Sequence, residues 1–477
     1  MELIDKILEA GNLTKACMEV VKNKGAGGID KMPVQKLKQY LDNNRRNLCD
    51  SVRSGDYLPL PIRGKQIPKG NGKTRLLGIP TAVDRMLQQA VLRVVMPLYE
   101  PYFSNDSYGF RPNRNTHQAV AKALGYVNSG FQNIVEIDLK AFFDEVDQVL
   151  LLQLLYKKVK CRDTLRLLKR WLRAPIEIEG KLVKRRKGVP QGSPISPLLS
   201  NIMLHELDKE MERLGLNFVR YADDFSIYCK TKADASRANR QVIAFLRDKL
   251  KLPINTDKSG LRRPVHLQVL GFGFVPTYRK GEKGKYQLVV TDKKFKIFKE
   301  KLKELTRKTN PMSFDERIEK LNPTIRGWLE YFKYASIQQK LLKLDGWLRN
   351  RLRYCIWHHW KKPEKKRRSL IRLGVNPNQA YQWSRTRMGG WATAQSPILG
   401  TTITIDRLKK RGYIPMTDVF NSISPNYNNS LFSYADFVSC DLRNRRIQPV
   451  PIIYREDPYC LSRYNRDAVA SIHWDKL

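Results

Sequence analysis

Apolar positions recur at helical spacing from the first residues of the chain, where Leu3, Ile4, Ile7 and Leu8 share one face. This pattern predicts helices over residues 1–55. The stretch NKGAGGID breaks them before a second helix begins near Pro33. From Asp56 to about Phe274 the period changes, and short β-prone runs alternate with helical ones, as in an α+β or α/β domain. From about Thr291 the pattern turns to long lysine-studded helices: KKFKIFKEKLKELTRK, IRGWLEYFKYA and GWLRNRLRYCIWHHWKK. A mixed segment runs from Gly374 to about Val419. The Asn/Ser-rich stretch NSISPNYNNS then leads into a tail of about fifty residues. No internal repeat or heptad run is visible. A length of 477 residues predicts two to four domains.

Two strands predicted within the middle region, LNFVRY and FSIYC, are joined by ADD, a composition suited to a tight hairpin turn. Adjacent carboxylates repel, and burying either one unpaired is costly. Asp223 and Asp224 are therefore either a solvated turn or part of a cation site. Oxygen-only ligands favour Mg²⁺. A third carboxylate is available in NIVEIDLKAFFDEVD, where a short strand over Ile134–Ile137 runs into Asp138 and an amphipathic helix follows at once. Three such carboxylates can hold two Mg²⁺ ions about 4 Å apart for in-line phosphoryl transfer. Strand alternation ranks Asp138 and Asp223 as primary ligands and Asp224 as the weaker one.

Charge narrows the class of partner. Lys and Arg number 88 against 46 Asp and Glu, a formal net charge of +42, in a chain with 8 Trp, 21 Tyr and 17 Phe. So aromatic a composition is not that of a disordered tail, and a folded basic protein is a binder of phosphate polymer. No apolar stretch reaches the roughly 18 residues that span a bilayer, which argues against a membrane partner. MELIDKILEAGN lacks the basic lead and apolar core of a secretory signal. The seven cysteines are scattered with no C-x-x-C pair, as in a reduced cytoplasm, and they offer no thiolate zinc site. Between Lys293 and Leu373 there are 24 Lys/Arg against 8 Asp/Glu, so the helical region is more basic than the chain as a whole.

YADD, EIDLKAFFD and GVPQGSPISPLLSNIMLHELD, with IPKGNGKTRLLGIPTAVDRMLQQAV and SYGFRPNRNTHQAV ahead of them in order, resemble the reverse transcriptases encoded by bacterial group II introns. LNPTIRGWLEYFKYA and LDGWLRNRLRYCIWHHWKKP resemble the thumb, or maturase, region of the same proteins. The resemblance covers roughly residues 1–420. It implies an α+β right-hand polymerase, with fingers and an antiparallel-sheet palm, followed by an α-helical thumb/maturase domain and a small DNA-binding segment. The corresponding boundaries are 1–55 for a helical extension of the fingers, 56–280 for fingers and palm, and 281–373 for the thumb. Residues 374–420 form the DNA-binding segment, and 421–477 form a linker and extension of unassigned role.

The resemblance also implies an RNA-directed DNA polymerase that binds its intron RNA, assists its splicing and copies it at a DNA target. Its partners are intron RNA, target and primer DNA and dNTPs, with a homodimer also admitted. Its cofactor is a pair of Mg²⁺ ions, for which Mn²⁺ can substitute. Its setting is the bacterial cytoplasm, at the nucleoid when bound to target DNA.

By resemblance, Lys69 and Arg75, which flank a Gly-Asn-Gly turn, meet the triphosphate. Phe143 is a steric gate against a ribose 2′-hydroxyl, although the Phe142-Phe143 pair read alone is core packing. Gln191 touches the nucleotide, and Ser193 stands where the family commonly has a second glycine, so that its side chain would narrow the nucleotide pocket or alter fidelity. Asn255 and Lys258 match later palm positions, with Lys258 a substrate-binding residue. Lys361, Lys362, Lys365, Lys366, Arg367 and Arg368 are the candidate RNA-backbone contacts. Trp328, Tyr331 and Phe332 are expected to spend most of their area in a helical core. Glu136, Asp144 and Asp147 are expected at helix starts or in solvent. With only Cys440, Cys460 and His473 as late candidates, no endonuclease domain is expected. The alternatives are a host-adopted enzyme of this type in repair or phage defence, an RNA-binding maturase with an inactive palm, and an RNA-templated RNA polymerase.

Overall fold

The computed structural model describes residues 2–70, 73–277 and 284–424, with the side chains of residues 69, 70 and 73 outside that description. The described residues divide into two units, 2–263 and 264–424. The first unit opens with helices α1 (Leu3–Leu8), α2 (Ala10–Lys22) and α3 (Leu37–Ser54). The helical face read from the sequence is the buried one: Ile4, Ile7 and Leu8 lie in the core. A hairpin of β1 (Ile62–Gly70) and β2 (Lys73–Ile79) follows, then α4 (Ala82–Tyr99) and α5 (Thr116–Asn128).

Strand β3 (Asn133–Ile137) ends at Asp138. The single helix expected after it is two, α6 (Phe142–Glu145) and α7 (Gln148–Tyr156). The break has a local cause. Val146 leaves the helical region at ψ 125°, and the Asp147 carboxylate caps a new start by accepting from the Val149 and Leu150 amides. Helix α8 (Arg162–Arg173), strands β4 (Ile176–Ile178) and β5 (Lys181–Val183), and helix α9 (Ser196–Arg213) come next. The unit closes with β6 (Asn217–Tyr221), β7 (Asp224–Cys229), α10 (Lys232–Asp248) and β8 (Gly260–Arg262).

Two sheets result, in the orders β2-β1-β4-β5 and β6-β7-β3-β8. The second is antiparallel throughout. Alternation divides its faces. Val135, Ile137, Phe225, Ile227 and Cys229 point into the main core, where Ala235, Ala238, Val242 and Leu246 of α10 are also buried. Burying each large apolar side chain there contributes about 1.5–3 kcal/mol. On the opposite face Ile134 and Tyr228 are buried, and Tyr228 packs on Tyr126 of α5 at 5.3 Å. Farther along that face stand Glu136 and Asp138.

One polar residue on the core face breaks the apolar rule. Arg220 of β6 pairs across the ladder with Phe225 and is fully buried. Its guanidinium meets the equally buried Asp208 of α9 in a two-pronged ion pair, with Nε donating to Oδ1 at 2.7 Å. Nη1 donates to Asn201 Oδ1 and to the Ala222 carbonyl, both at 3.0 Å. Every arm of the fork thus has an acceptor, the condition under which a buried charge is tolerated.

The second unit holds a three-stranded sheet, β9 (Gln268–Val269), β10 (Phe272–Pro276) and β11 (Tyr286–Val290), in the order β11-β10-β9. Three long helices follow: α11 (Asp292–Leu305), α12 (Phe314–Tyr331) and α13 (Gln338–His359). Ser313 and Glu316 start α12 with a reciprocal capping box. Trp328 stacks on Phe298 at 4.1 Å and packs on Phe332, which is buried, so the aromatic cluster of this helix is core as expected. Shorter helices complete the unit: α14 (Pro363–Arg372), α15 (Pro377–Ser384), α16 (Gly390–Gln395), α17 (Pro397–Thr402), α18 (Ile405–Lys410) and α19 (Met416–Ile423). Buried Asp345 of α13 anchors the start of α19, accepting from the Tyr413 hydroxyl and from the Met416 and Thr417 amides. Among the described residues no helix is long and apolar enough to cross a membrane.

The buried fork yields a stability prediction. Arg220→Met leaves Asp208 uncompensated and should cost about 3–5 kcal/mol in urea unfolding, whereas Arg220→Met with Asp208→Leu should recover most of that loss. A single variant within about 1 kcal/mol of wild type would show that the pair does not hold this region.

Candidate active site

The turn between β6 and β7 has two residues, Ala222 and Asp223, since Tyr221 pairs directly with Asp224. Ala222 sits at φ 58°, a left-handed conformation uncommon outside glycine. Two contacts hold it there. Arg220 grips its carbonyl from the core side. Gly109 of SYGFRP lies against its amide so closely that a Cβ on residue 109 would come within 2.2 Å of the Ala222 nitrogen. Only glycine fits that approach. The loop bearing Gly109 is fixed in turn by Tyr108 N–H donating to the Arg220 carbonyl and by Asn201 Nδ2 donating to the Gly109 carbonyl.

Register brings the distant carboxylate to this turn. Ile137 pairs with Phe225, so the next step of the ladder sets Asp138 beside Asp224, on the face of Glu136. Asp223 belongs to the turn rather than to a strand, so alternation does not demote Asp224 relative to it. Asp224 is exposed by surface area but crowded by protein on its other sides. That burial, with the charges of Asp223, Asp138 and Glu136, pushes its pKa up to about 6, opposed by Lys258.

Asp138 has its own setting. Its backbone N–H donates to Ser259 Oγ, and its carbonyl accepts from the Asn255 amide. Asn255 Nδ2 donates to Oδ2 at 2.9 Å, and Lys258 Nζ lies 3.5 Å from the same oxygen. The segment INTDKS thus wraps the carboxylate, bringing Lys258 to the site. Glu136 pairs with Arg262, neither at a helix start nor free in solvent. Asp147 is a helix cap, as expected.

The donor set is all oxygen and charge-crowded, which suits a hard divalent cation. Among the described residues no three acidic, histidine or cysteine side chains already close on one point at coordination distance. Asp138 faces Lys258 instead, so a cation would take over a carboxylate that an ammonium now neutralises.

Phe143 and Gln191 meet through one loop. Phe142 is core, and Phe143 packs edge-on against it at 5.3 Å while staying half-buried. Its carbonyl accepts from the Val189 amide at 2.6 Å, and that of Val146 accepts from Gly188 at 2.7 Å. On its other side the loop accepts, at the Gln191 carbonyl, from Gly78 of β2 at 2.7 Å. Gly192, at φ 105°, lets Gly78 come near: a Cβ there would lie 2.6 Å from the Gly78 carbonyl. Ser193 is buried and lines an internal cavity, so its side chain does not narrow an open nucleotide pocket. Arg75 is exposed on β2, opposite Ile67 of β1. The backbone of Lys69 lies in β1 at an irregularity between Pro68 and Gly70, but its side chain is outside the described residues.

The basic run of the second unit is not uniform. Lys361, Lys362, Lys365 and Arg368 are exposed. Lys366 lies over the Trp357 ring at 4.3 Å, and Arg367 pairs with Glu364 at 3.3 Å. Helical spacing explains the split, because Lys366 and Arg367 precede the buried Leu370 by four and three residues. Cys440, Cys460, His473 and the tail lie outside the described residues. The residues that sequence reasoning missed are Arg220, Asp208, Asn201 and Gly109. Arg220 had a signal, since alternation from buried Phe218 points it inward.

Comparison with known proteins places the sequence in a family. Residues 67–274 match the family "Reverse transcriptase (RNA-dependent DNA polymerase)", and residues 295–374 match "Group II intron, maturase-specific domain". Protein YkfC of Escherichia coli strain K12 is 33% identical over 287 residues, covering 52% of this chain and 75% of that protein. Group II intron-encoded protein LtrA of Lactococcus lactis subsp. cremoris is 38% identical over 182 residues, covering 38% of this chain and 30% of LtrA. A solved partial Cas6-RT-Cas1--Cas2 complex aligns over 53% of this chain and 43% of its own, at 27% identity and a TM-score of 0.35. The chain belongs to the group II intron-encoded reverse transcriptase and maturase family of RNA-directed DNA polymerases, its mixed α/β region followed in sequence by a helical one.

Proposed function

We propose that this chain binds a group II intron RNA, assists its splicing, and copies it into DNA from a 3′-hydroxyl at the target site. The observation that supports this reading most is the ladder register that sets Asp138 beside the Asp223–Asp224 turn, with Lys258 and the Phe143–Gln191 loop in the same unit. In this reading Asp138, Asp223 and Asp224 hold divalent ions, Mg²⁺ with Mn²⁺ as substitute. The ions would sharpen the attacking 3′-oxygen and steady the leaving pyrophosphate.

The chain's own residues do the positioning. Lys69 and Arg75 take the triphosphate of the incoming dNTP from the β1–β2 hairpin, Arg75 suiting a two-pronged contact. Phe143 turns its half-buried ring toward the sugar and excludes a 2′-hydroxyl, while Gln191 orients the nucleotide. Lys258, which pairs with Asp138, would meet the nucleotide's phosphates. Asn255 keeps its bond and aims Asp138. Residues 56–280 are the fingers and palm, with 1–55 extending the fingers, and 281–373 are the thumb. Exposed Lys361, Lys362, Lys365 and Arg368 grip RNA phosphates, and Lys366 and Arg367 support them. Residues 374–420 hold target DNA. The setting is a bacterial cytoplasm, and two copies acting together are compatible with this reading.

Asp223→Ala should lower primer extension on an RNA template by on the order of 10³-fold or more, while leaving intron-RNA affinity within about twofold. Undiminished extension would remove the metal assignment, and failure to bind RNA would mean the turn serves structure rather than chemistry. Replacing Lys361, Lys362, Lys365 and Arg368 together with Ala should lower the slope of log affinity against log salt by about 1 for each phosphate no longer neutralised. An unchanged slope would place the RNA elsewhere.

A further inference from the structure

The loop that presents Gln191 is bonded directly on two sides, to the carbonyls of Phe143 and Val146 and to the amide of Gly78. Toward α4 and α8 its packing is different. A cavity of about 10 Å³ lies between it and Gln88 of α4 and Leu168, Trp171 and Leu172 of α8. Pro190 and Ser193 form its loop wall. Most of that lining is apolar, yet two of the lining residues, Ser193 and Gln88, each carry a buried oxygen that is unsatisfied. Ser193 Oγ and Gln88 Oε1 belong to side chains 4% and 1% exposed, and neither finds a hydrogen-bond partner among the described residues. Buried polar groups left in this state are costly, and native proteins satisfy them. The space corresponds to a single water, which needs at least two polar partners to be held.

We propose that one buried water bridges Ser193 and Gln88 and is the third anchor of the nucleotide loop. The Ser193 hydroxyl donates to the water, and the water donates to Gln88 Oε1. The bridge joins the loop to α4, the helix that follows β2, so a single helix origin indexes both Arg75 and Gln191. Ser193 then acts as a positioning residue for nucleotide binding: it touches neither substrate nor metal but fixes where its neighbour two residues earlier meets the substrate. The proposal rests on the polymerase reading above.

The test pairs structure with kinetics on the full chain. A crystal structure at a resolution showing ordered water should place one water between Ser193 Oγ and Gln88 Oε1. Ser193→Ala and Gln88→Met should each raise KM for dNTP by roughly tenfold, one hydrogen bond's worth, with kcat within about twofold of wild type. The double variant should be no worse than the worse single one, because both remove the same bridge. Ser193→Gly, which also removes the hydroxyl, provides the same reading if the alanine variant is unstable. An empty or apolar-filled cavity, unchanged KM, or effects that multiply in the double variant would each overturn the proposal. Wild-type protein that does not extend a primer at all would instead overturn the polymerase reading, and the kinetic role of the bridge with it.

Discussion

The structure turns on the ion pair between Arg220 and Asp208. It lies under the turn that carries Asp223 and Asp224, on the opposite side of the sheet from Glu136 and Asp138. Buried pairs often contribute little net stability, since desolvation offsets their attraction. This one has a geometric use. The same guanidinium that meets Asp208 also grips the Ala222 carbonyl, holding a left-handed alanine in a conformation the backbone would otherwise avoid. A charge kept out of water thus fixes the shape of a turn that carries two adjacent carboxylates. The crowded carboxylates above and the satisfied arginine below form one device, in which repulsion on one face is held in place by attraction on the other.

The second constraint is the loop from Gly188 to Ile195. It is hydrogen-bonded to the Phe143 helix and to β2, so the backbones that carry Phe143, Gln191 and the β1–β2 hairpin are tied to one another. Three features that separate sequence motifs assign to sugar, nucleotide and phosphate are linked by a few backbone bonds. That linkage explains why Gly188 and Gly192 both adopt positive φ here: the chain has to turn back against Phe143 and then approach Gly78 closely.

Much of this is legible in the sequence because it follows from periodicity. The strands flanking ADD, the strand before Asp138 and the long helices all have simple apolar patterns. What escapes does so for physical reasons. The apolar run from Val146 to Leu155 does not show that Asp147 will cap a fresh helix. Arginine is ordinarily a surface residue, so Arg220 does not stand out although its strand position points inward. Gly109 reads as part of a motif, and only the structure shows the backbone that excludes a side chain there. The basic run at 361–368 reads as one surface, whereas helix geometry sends Lys366 and Arg367 toward Trp357 and Glu364. Lys258 is a nucleotide contact by resemblance alone, and its pairing with Asp138 depends on how residues 254–259 wrap that carboxylate.

If Asp138 and the Asp223–Asp224 turn make one divalent-ion site, as proposed, the ions can be located directly. Anomalous diffraction from the full chain with Mn²⁺, a primed RNA template and an unreactive dNTP analogue is the measurement that does so. Mn²⁺ peaks bridged by Asp138 and the turn, with Lys258 displaced from Asp138, are the predicted result. Peaks elsewhere, with Asp138 still paired to Lys258, would contradict it.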